Sequence, residues 1–425
     1  MTLSVACGGD STAPSTGPGP ISPPATPPVI GGPAPLRCPF RESAASRTTY
    51  YFATNELGAD NERCDGLSPT DRGGGRCPFK DFQSAATFRL LRDVSSVRVE
   101  LRAGTYTLTN EGLTVSGAGG GRVVVTAYQE EAVVLDGENT VRELLRLSGV
   151  GVTIERLTFQ NAGAHNIEVR GGSDHVIQCN RFLQNRASDS LKGTGGAGTT
   201  TVRDNEFSRW DSQAIDLTNI SRWTIVDNVF RDSLGVNANA IGAKLGARDV
   251  LVARNQFENT GGLAFGGVGG AHDDSFEAFR VTAEHNTFDE LSGAAVKFYS
   301  CSQCSFRNND INGALGGIVL GGVRLEGPSG CTGGCRPTRG AVVTGNRLRR
   351  MRGGVEGDPD TFWFVNASES SGIVAGENLY CFSVGGSARF IFAEAKLSFA
   401  EWTMRLGTDE TSTIASETDS VCVGS

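Results

Sequence analysis

A ladder of asparagines constrains this chain more than any other feature. Asn180, Asn205, Asn228, Asn255, Asn286, Asn309, Asn346 and Asn378 each open an Asn-x-(Phe, Ile, Leu or Tyr) triplet, at steps of 25, 23, 27, 31, 23, 37 and 32 residues. Leu157 with Phe159 extends the series one 23-residue step towards the N-terminus. A period this short, tolerant of insertions, marks a solenoid in which each repeat stacks on the last.

The positions three and five before a rung are usually apolar and the one between usually polar: Val152/Ile154, Trp223/Ile225, Val250/Val252 and Val281/Ala283. Period-two alternation is the signature of a half-buried strand. A second alternating run precedes the rung at greater distance: Ile167/Val169, Ile215/Leu217, Ile241/Ala243/Leu245, Leu263/Phe265 and Val296/Phe298. A third strand is expected around the triplet itself. With no helical run between them, these strands predict an all-β fold, a right-handed parallel β-helix over residues 141–382. The Asn column would sit at a bend, each amide bonding the rungs above and below. The 57 Gly in 425 residues suit a chain that bends several times per coil.

The ends read differently. Residues 1–45 hold a Gly/Ser/Thr/Pro/Ala tether, too poor in large apolar groups to fold. Residues 46–140 read as the N-terminal cap and first coils, with a strand at Tyr51–Thr54, an amphipathic helix from Phe82 to Leu91 and a strand at Val97–Leu101. Residues 383–425 form the other cap. A solenoid needs both, because its open ends expose core and unpaired backbone.

Eleven Cys become an even ten when Cys7 is set aside. Cys64/Cys77, Cys301/Cys304, Cys331/Cys335 and Cys381/Cys422 are local candidates for disulfides, leaving Cys38 and Cys179. A zinc site built from Cys301, Cys304, Cys331 and Cys335 also fits on spacing. The net charge of -8, without a basic run, excludes nucleic acid as a partner but leaves room for an acidic polysaccharide if cations gather locally. No stretch is long and apolar enough to span a membrane. A monomer is expected.

The outward neighbours of the second strand run are Glu168 and Arg170, then Lys192, Asp216, Lys244, Gly266 and Lys297. Stacked about 4.8 Å apart, they would form one charged column with a glycine clearing space among the lysines, a groove for carboxylated sugars. Trp210 in the preceding turn could stack on a sugar ring. Tyr299, Arg209 and Arg231 are candidates for the leaving-group acid, and His272, Asp273 and Asp274 could line the groove or bind calcium through oxygen ligands.

Three resemblances bear on function. Leu3-Ser4-Val5-Ala6-Cys7-Gly8-Gly9 resembles the end of a bacterial lipoprotein signal, which implies a secreted or outer-membrane, lipid-anchored protein. The stretch "VRVELRAGTYTL" and the C-terminal "LSFAEWTMRLGTDETS" resemble the caps of extracellular β-helix proteins of the pectate-lyase-like superfamily that act on polysaccharides. Residues Asn239 to Gly267, "NAIGAKLGARDVLVARNQFENTGGLAFGG", resemble the catalytic stretch of the chondroitinase B and alginate lyase family. That match implies Lys244 as general base, with Lys192 beside it. The family continues Leu-x-x-Arg-His-Gly where this chain has Leu263-Ala264-Phe265-Gly266-Gly267, so its Arg is missing. Asn-Thr-Asp, Gly-His-Gly and Arg-Ile-Lys, the signatures of β-helix polygalacturonases, are absent. The expectation is a lyase cleaving a uronate-containing polysaccharide by β-elimination; a non-catalytic glycan-binding β-helix is the alternative, and a hydrolase or epimerase comes third.

Overall fold

The computed structural model describes residues 47–423 apart from 55–56, 93–95, 110–111, 118–120, 186–187, 236–237, 268–275, 322–336, 353–360, 367–369, 385 and 387. The chain divides into Met1–Pro33 and Ala34–Ser425, and the second unit carries every described element.

Three parallel sheets run the length of the molecule, and successive strands go to different sheets. One coil shows the pattern. Val152–Glu155 lies in sheet A, Thr158–Gln160 in sheet B and His165–Arg170 in sheet C, after which His175–Gln178 returns to sheet A beside Val152–Glu155. Sheet A holds 15 strands and the other two hold 12 each among the described residues. This is a parallel β-helix. Its stacked strands extend from Thr48–Phe52 to Thr413–Ser416, past both ends of the 141–382 range.

The asparagines stand where sheet A bends into sheet B. Asn205 Nδ2 donates to Asn228 Oδ1 at 3.0 Å and to the Ile177 carbonyl at 2.9 Å, while its own Oδ1 accepts from the Asn180 backbone N–H at 2.9 Å. The same bonds recur up to Asn378. All eight rungs are buried, so an amide that both donates and accepts is what prevents orphaned backbone groups at every bend. The ladder ends on other chemistry: Asn378 N–H donates to Ser412 Oγ at 2.8 Å, and its Nδ2 to Asp409 Oδ1 at 3.3 Å. Two residues after the bend, the aromatic rings also stack. Phe159, Phe182, Phe207, Phe230, Phe257 and Phe288 follow one another at centroid distances of 5.3, 4.5, 4.9, 4.8 and 4.6 Å.

A short helix stands near each end of the solenoid. Ala85–Arg92 is helical at the N-terminal end. Phe399–Leu406 is helical at the other, with a Ser398/Glu401 capping box, Gly407 closing it at φ 70° and Trp402 buried against the last coil. Disulfides join Cys64–Cys77, Cys301–Cys304 and Cys381–Cys422, and Cys179 is also disulfide-bonded. The zinc alternative falls with Cys301–Cys304, because sulfurs bonded to each other are not thiolate ligands. Cys38, Cys331 and Cys335 lie outside the described residues. Disulfides persist in oxidising compartments, which makes this an extracytoplasmic protein.

Candidate functional site

The outer face of sheet C brings most of the charged residues together. Register places Glu168, Lys192, Asp216, Gly242, Ala264 and Lys297 in one outward row. The next outward row holds Arg170 beside Thr194, Thr218 beside Lys244, and Gly266 beside Tyr299. The expected single column is therefore two. Lys244 does not stand in line with Lys192, Asp216 and Lys297 but one outward position further along. The cause is Leu245, which continues the apolar alternation but takes φ 53° and opens the turn, so that Ile241 and Ala243 are the pair that registers with Ile215 and Leu217.

Lys244 still reaches that row diagonally. Its Nζ lies 3.0 Å from Asp216 Oδ1, and Lys192 Nζ contacts Asp216 Oδ2 on the other side. Lys192 also approaches Asp189 Oδ2 at 3.6 Å, and His165 Nδ1 lies 3.8 Å from the same oxygen. Asp216 and Asp189 are buried, with side chains only 2% and 5% exposed. Burial, then the negative charge of Asp216, push the Asp189 carboxyl up from its ordinary value. Arg170 and Arg146 both bind Glu168, at 2.9 and 3.5 Å, so neither guanidinium supplies the arginine that the resemblance lacks.

Lys297 differs from the other two lysines. Among the described residues it has no carboxylate partner, and its Nζ has only the Asn239 Oδ1 at 3.5 Å. Burial without a counter-charge holds this amine below the ordinary lysine value. Between Lys297 and Tyr299 on one side and Asp216 and Lys244 on the other, the floor is made of Gly242, Ala264 and Gly266. A Cβ on Gly266, at φ 91°, would lie 1.6 Å from the Tyr299 carbonyl oxygen, and one on Gly242 would lie 1.8 Å from Gln213 Oε1. Gly266 is thus required by close approach to backbone, whereas at Gly242 the flexible Gln213 side chain would have to move aside.

Buried polar groups without a hydrogen-bond partner among the described residues collect beside this cluster: both amide atoms of Asn166, Ser190 Oγ, Asp189 Oδ1, Gln213 Oε1 and Thr218 Oγ1. Such groups cost about 1–3 kcal/mol each when left unsatisfied.

Several expected residues lie elsewhere. Trp210 is fully buried, not on a rim: Arg209 takes φ 61°, which reverses the alternation and turns the indole inward against Phe230, its Nε1 donating to the Asn239 carbonyl at 3.1 Å. Arg231 pairs with Glu206 on sheet B. His272, Asp273 and Asp274 lie outside the described residues. Among the described residues, no group of three His, Cys, Asp or Glu could hold a metal ion. The sequence reading missed His165, Asp189, Gln213 and Asn239. Each stands two residues before an inward Ile or Leu in successive coils, a polar-x-apolar repeat that could have been found.

Fold and site define a β-helix protein with a charged cleft on one sheet. A family described as a right handed beta helix region matches residues 143–326, which fixes the hand as right-handed. No curated protein matches the chain in sequence. Among solved structures, a GH136 lacto-N-biosidase from Eubacterium ramulus is 11% identical with a TM-score of 0.52, covering 87% of this chain and 67% of its own. An endo-xylogalacturonan hydrolase from Aspergillus tubingensis is 12% identical with a TM-score of 0.52, covering 75% of this chain and 91% of its own. An alginate lyase from a Paenibacillus species is 11% identical with a TM-score of 0.43, covering 68% and 90%. The first two similarities bear on the fold alone.

Proposed function

We infer that the protein is a polysaccharide lyase, with an acidic glycan lying across sheet C and cleaved by β-elimination. The observation that carries this reading is Lys297: a lysine held below its ordinary value by burial, without a carboxylate partner among the described residues, on a face of sheet C where the neighbouring outward positions are the small Gly242, Ala264 and Gly266. In the step, the neutral Lys297 amine takes the C5 proton of a uronate, the C4–O bond breaks as a C4–C5 double bond forms, and the departing oxygen takes the phenolic proton of Tyr299. Lys244 and Lys192 supply positive charge for the sugar carboxylate, whose enolate-like charge grows as the proton leaves. The role that the family resemblance gave to Lys244 thus passes to Lys297, because Lys244 is ion-paired with Asp216.

A second reading has its own observation. Asp189, raised by burial, beside Asp216, held between two ammonium groups, is a pair of carboxyl groups in unlike environments, as hydrolysis of a glycosidic bond needs. Incubation with alginate, pectate, chondroitin and hyaluronan separates the readings: elimination yields an ultraviolet-absorbing unsaturated end with each new reducing end, and hydrolysis yields reducing ends alone. On the same reading the protein is held at the cell surface by a lipid on Cys7. Labelling with a fatty-acid analogue tests this, the label being lost in Cys7→Ser.

A further inference from the structure

Sheet A, on a different face of the helix, carries a second concentration of cations. Thr224, Leu251, Thr282 and Ser305 form an outward row on neighbouring strands, and Ser305 Oγ and Thr282 Oγ1 lie 3.0 Å apart. Beside them Arg222, Asp249 and Arg280 succeed one another at equivalent positions, where the flanking residues register across all three strands. All three adopt left-handed backbone, at φ 59°, 57° and 50°. Holding non-glycine residues there costs about 1–2 kcal/mol each, and it turns the side chains off the strand into solvent. Arg307 stands at the other end of the strands, exposed and without an ion-pair partner among the described residues. Arg222, Thr224, Leu251, Arg280, Thr282 and Arg307 line an open depression of about 560 Å³, which Ser305 adjoins through Thr282.

Charges across the depression do not cancel. Arg280 is neutralised by Asp249, at 2.5 Å, whereas Arg222 makes only a 3.4 Å bond to Thr199 Oγ1. Glu284 is the other acid in the lining, against Arg222 and Arg307. A shallow trough with an arginine on either edge, and with the Thr199, Thr224 and Thr282 hydroxyls in its lining beside Leu251, suits an extended, hydroxylated polyanion. Phe279, the aromatic beside Arg280, has that guanidinium over its ring at 4.1 Å, which takes up one of the faces on which a nucleic-acid base would stack.

We propose that this face of sheet A is a second binding surface for an anionic polysaccharide, separate from the cleft on sheet C. Its arginines would grip carboxylate or sulfate groups while the Thr199, Thr224 and Thr282 hydroxyls meet ring hydroxyls, so that the protein holds a long chain at two faces. The choice of a glycan as the polyanion rests on the lyase reading; the existence of the surface does not.

The test uses the full chain carrying Lys297→Ala, so that no substrate is consumed, with and without Arg222→Ala and Arg307→Ala. Binding to alginate, pectate, chondroitin sulfate, neutral dextran and a DNA duplex is measured by affinity electrophoresis at low and high salt. The expected result is salt-sensitive retention by one or more anionic glycans and none by dextran, weakened roughly tenfold or more when both arginines are removed. Carboxylated and sulfated chains distinguish the charged group recognised. Unchanged glycan retention after removal of both arginines, no retention by any anionic glycan, or preferential retention by DNA would overturn the proposal. Cleavage of short oligouronates by the wild type and by the double arginine variant reports separately on sheet C, so failure of the lyase reading is visible by itself.

Discussion

Lys244 Nζ lies 3.0 Å from Asp216 Oδ1, and Lys192 grips the other oxygen of the same carboxylate. One buried anion thus fixes two lysines that the sequence suggested as independent catalytic groups. Asp216→Ala would leave Lys244 without its carboxylate and Lys192 with only Asp189, at 3.6 Å, beside a low-dielectric wall. The expected cost is about 3–5 kcal/mol, the range for breaking a buried pair, and chemical denaturation with the wild type as reference measures it. Lys244→Ala, which leaves Asp216 still paired with Lys192, should cost less.

Lys297→Ala is expected to lower turnover by about 10²–10⁴-fold, the usual contribution of a positioned general base. Stability should not suffer. Removing a buried, unpaired cation relieves desolvation, so the variant should melt at or slightly above the wild-type temperature.

The two perturbed groups give opposite pH dependences. Lys297 is lowered, so its active neutral form appears at lower pH than for an ordinary lysine, and turnover should rise with pH through that lowered value. Asp189 is raised, so the native state keeps its proton to higher pH than the unfolded chain does. Its contribution to stability is complete below the ordinary value of 3.8 and is lost as pH rises through the raised one. Asp189→Asn should therefore gain stability over the wild type near neutrality and lose that advantage in acid, as thermal melts across pH would show.

Asn228→Ala removes the acceptor of the Asn205 N–H and of Asn205 Nδ2, together with the donor to Asn255 Oδ1 and to the Val202 carbonyl. At about 1–3 kcal/mol per orphaned buried group, a loss of several kcal/mol is expected in equilibrium unfolding. An Asp at the same place keeps the acceptor but not the donor and should recover only part of it.

The Cys381–Cys422 bridge closes a span of 41 residues between the last coil and the C-terminal segment. Loop-closure entropy sets its contribution at about 4 kcal/mol. Cys422→Ser should therefore lower the melting temperature and expose the segment after Asn378 to protease first.

The ladder was legible because a buried bend asks for the same amide in every coil, and the Phe stack two residues later repeats the signal. Parity was legible too, and Lys244 does leave the inward face. Register was not. A slip of two residues preserves which face a side chain takes, and Ile241, Ala243 and Leu245 offered two equivalent pairs. Trp210 was misplaced for a related reason, since one left-handed residue, Arg209, inverts alternation without marking the sequence. Asp189 and His165 sit in a polar-x-apolar repeat that the sequence does show, but their chemistry depends on approach across coils, which that repeat does not specify.

The most direct measurement follows unsaturated product and new reducing ends together, on a panel of polyuronates, for wild type, Lys297→Ala and Asp189→Asn. The account expects the wild type to form one unsaturated end per cleavage, Lys297→Ala to lose nearly all of it, and Asp189→Asn to retain elimination. Reducing ends without absorbance, abolished in Asp189→Asn and kept in Lys297→Ala, would contradict the elimination mechanism and assign the cleft to hydrolysis.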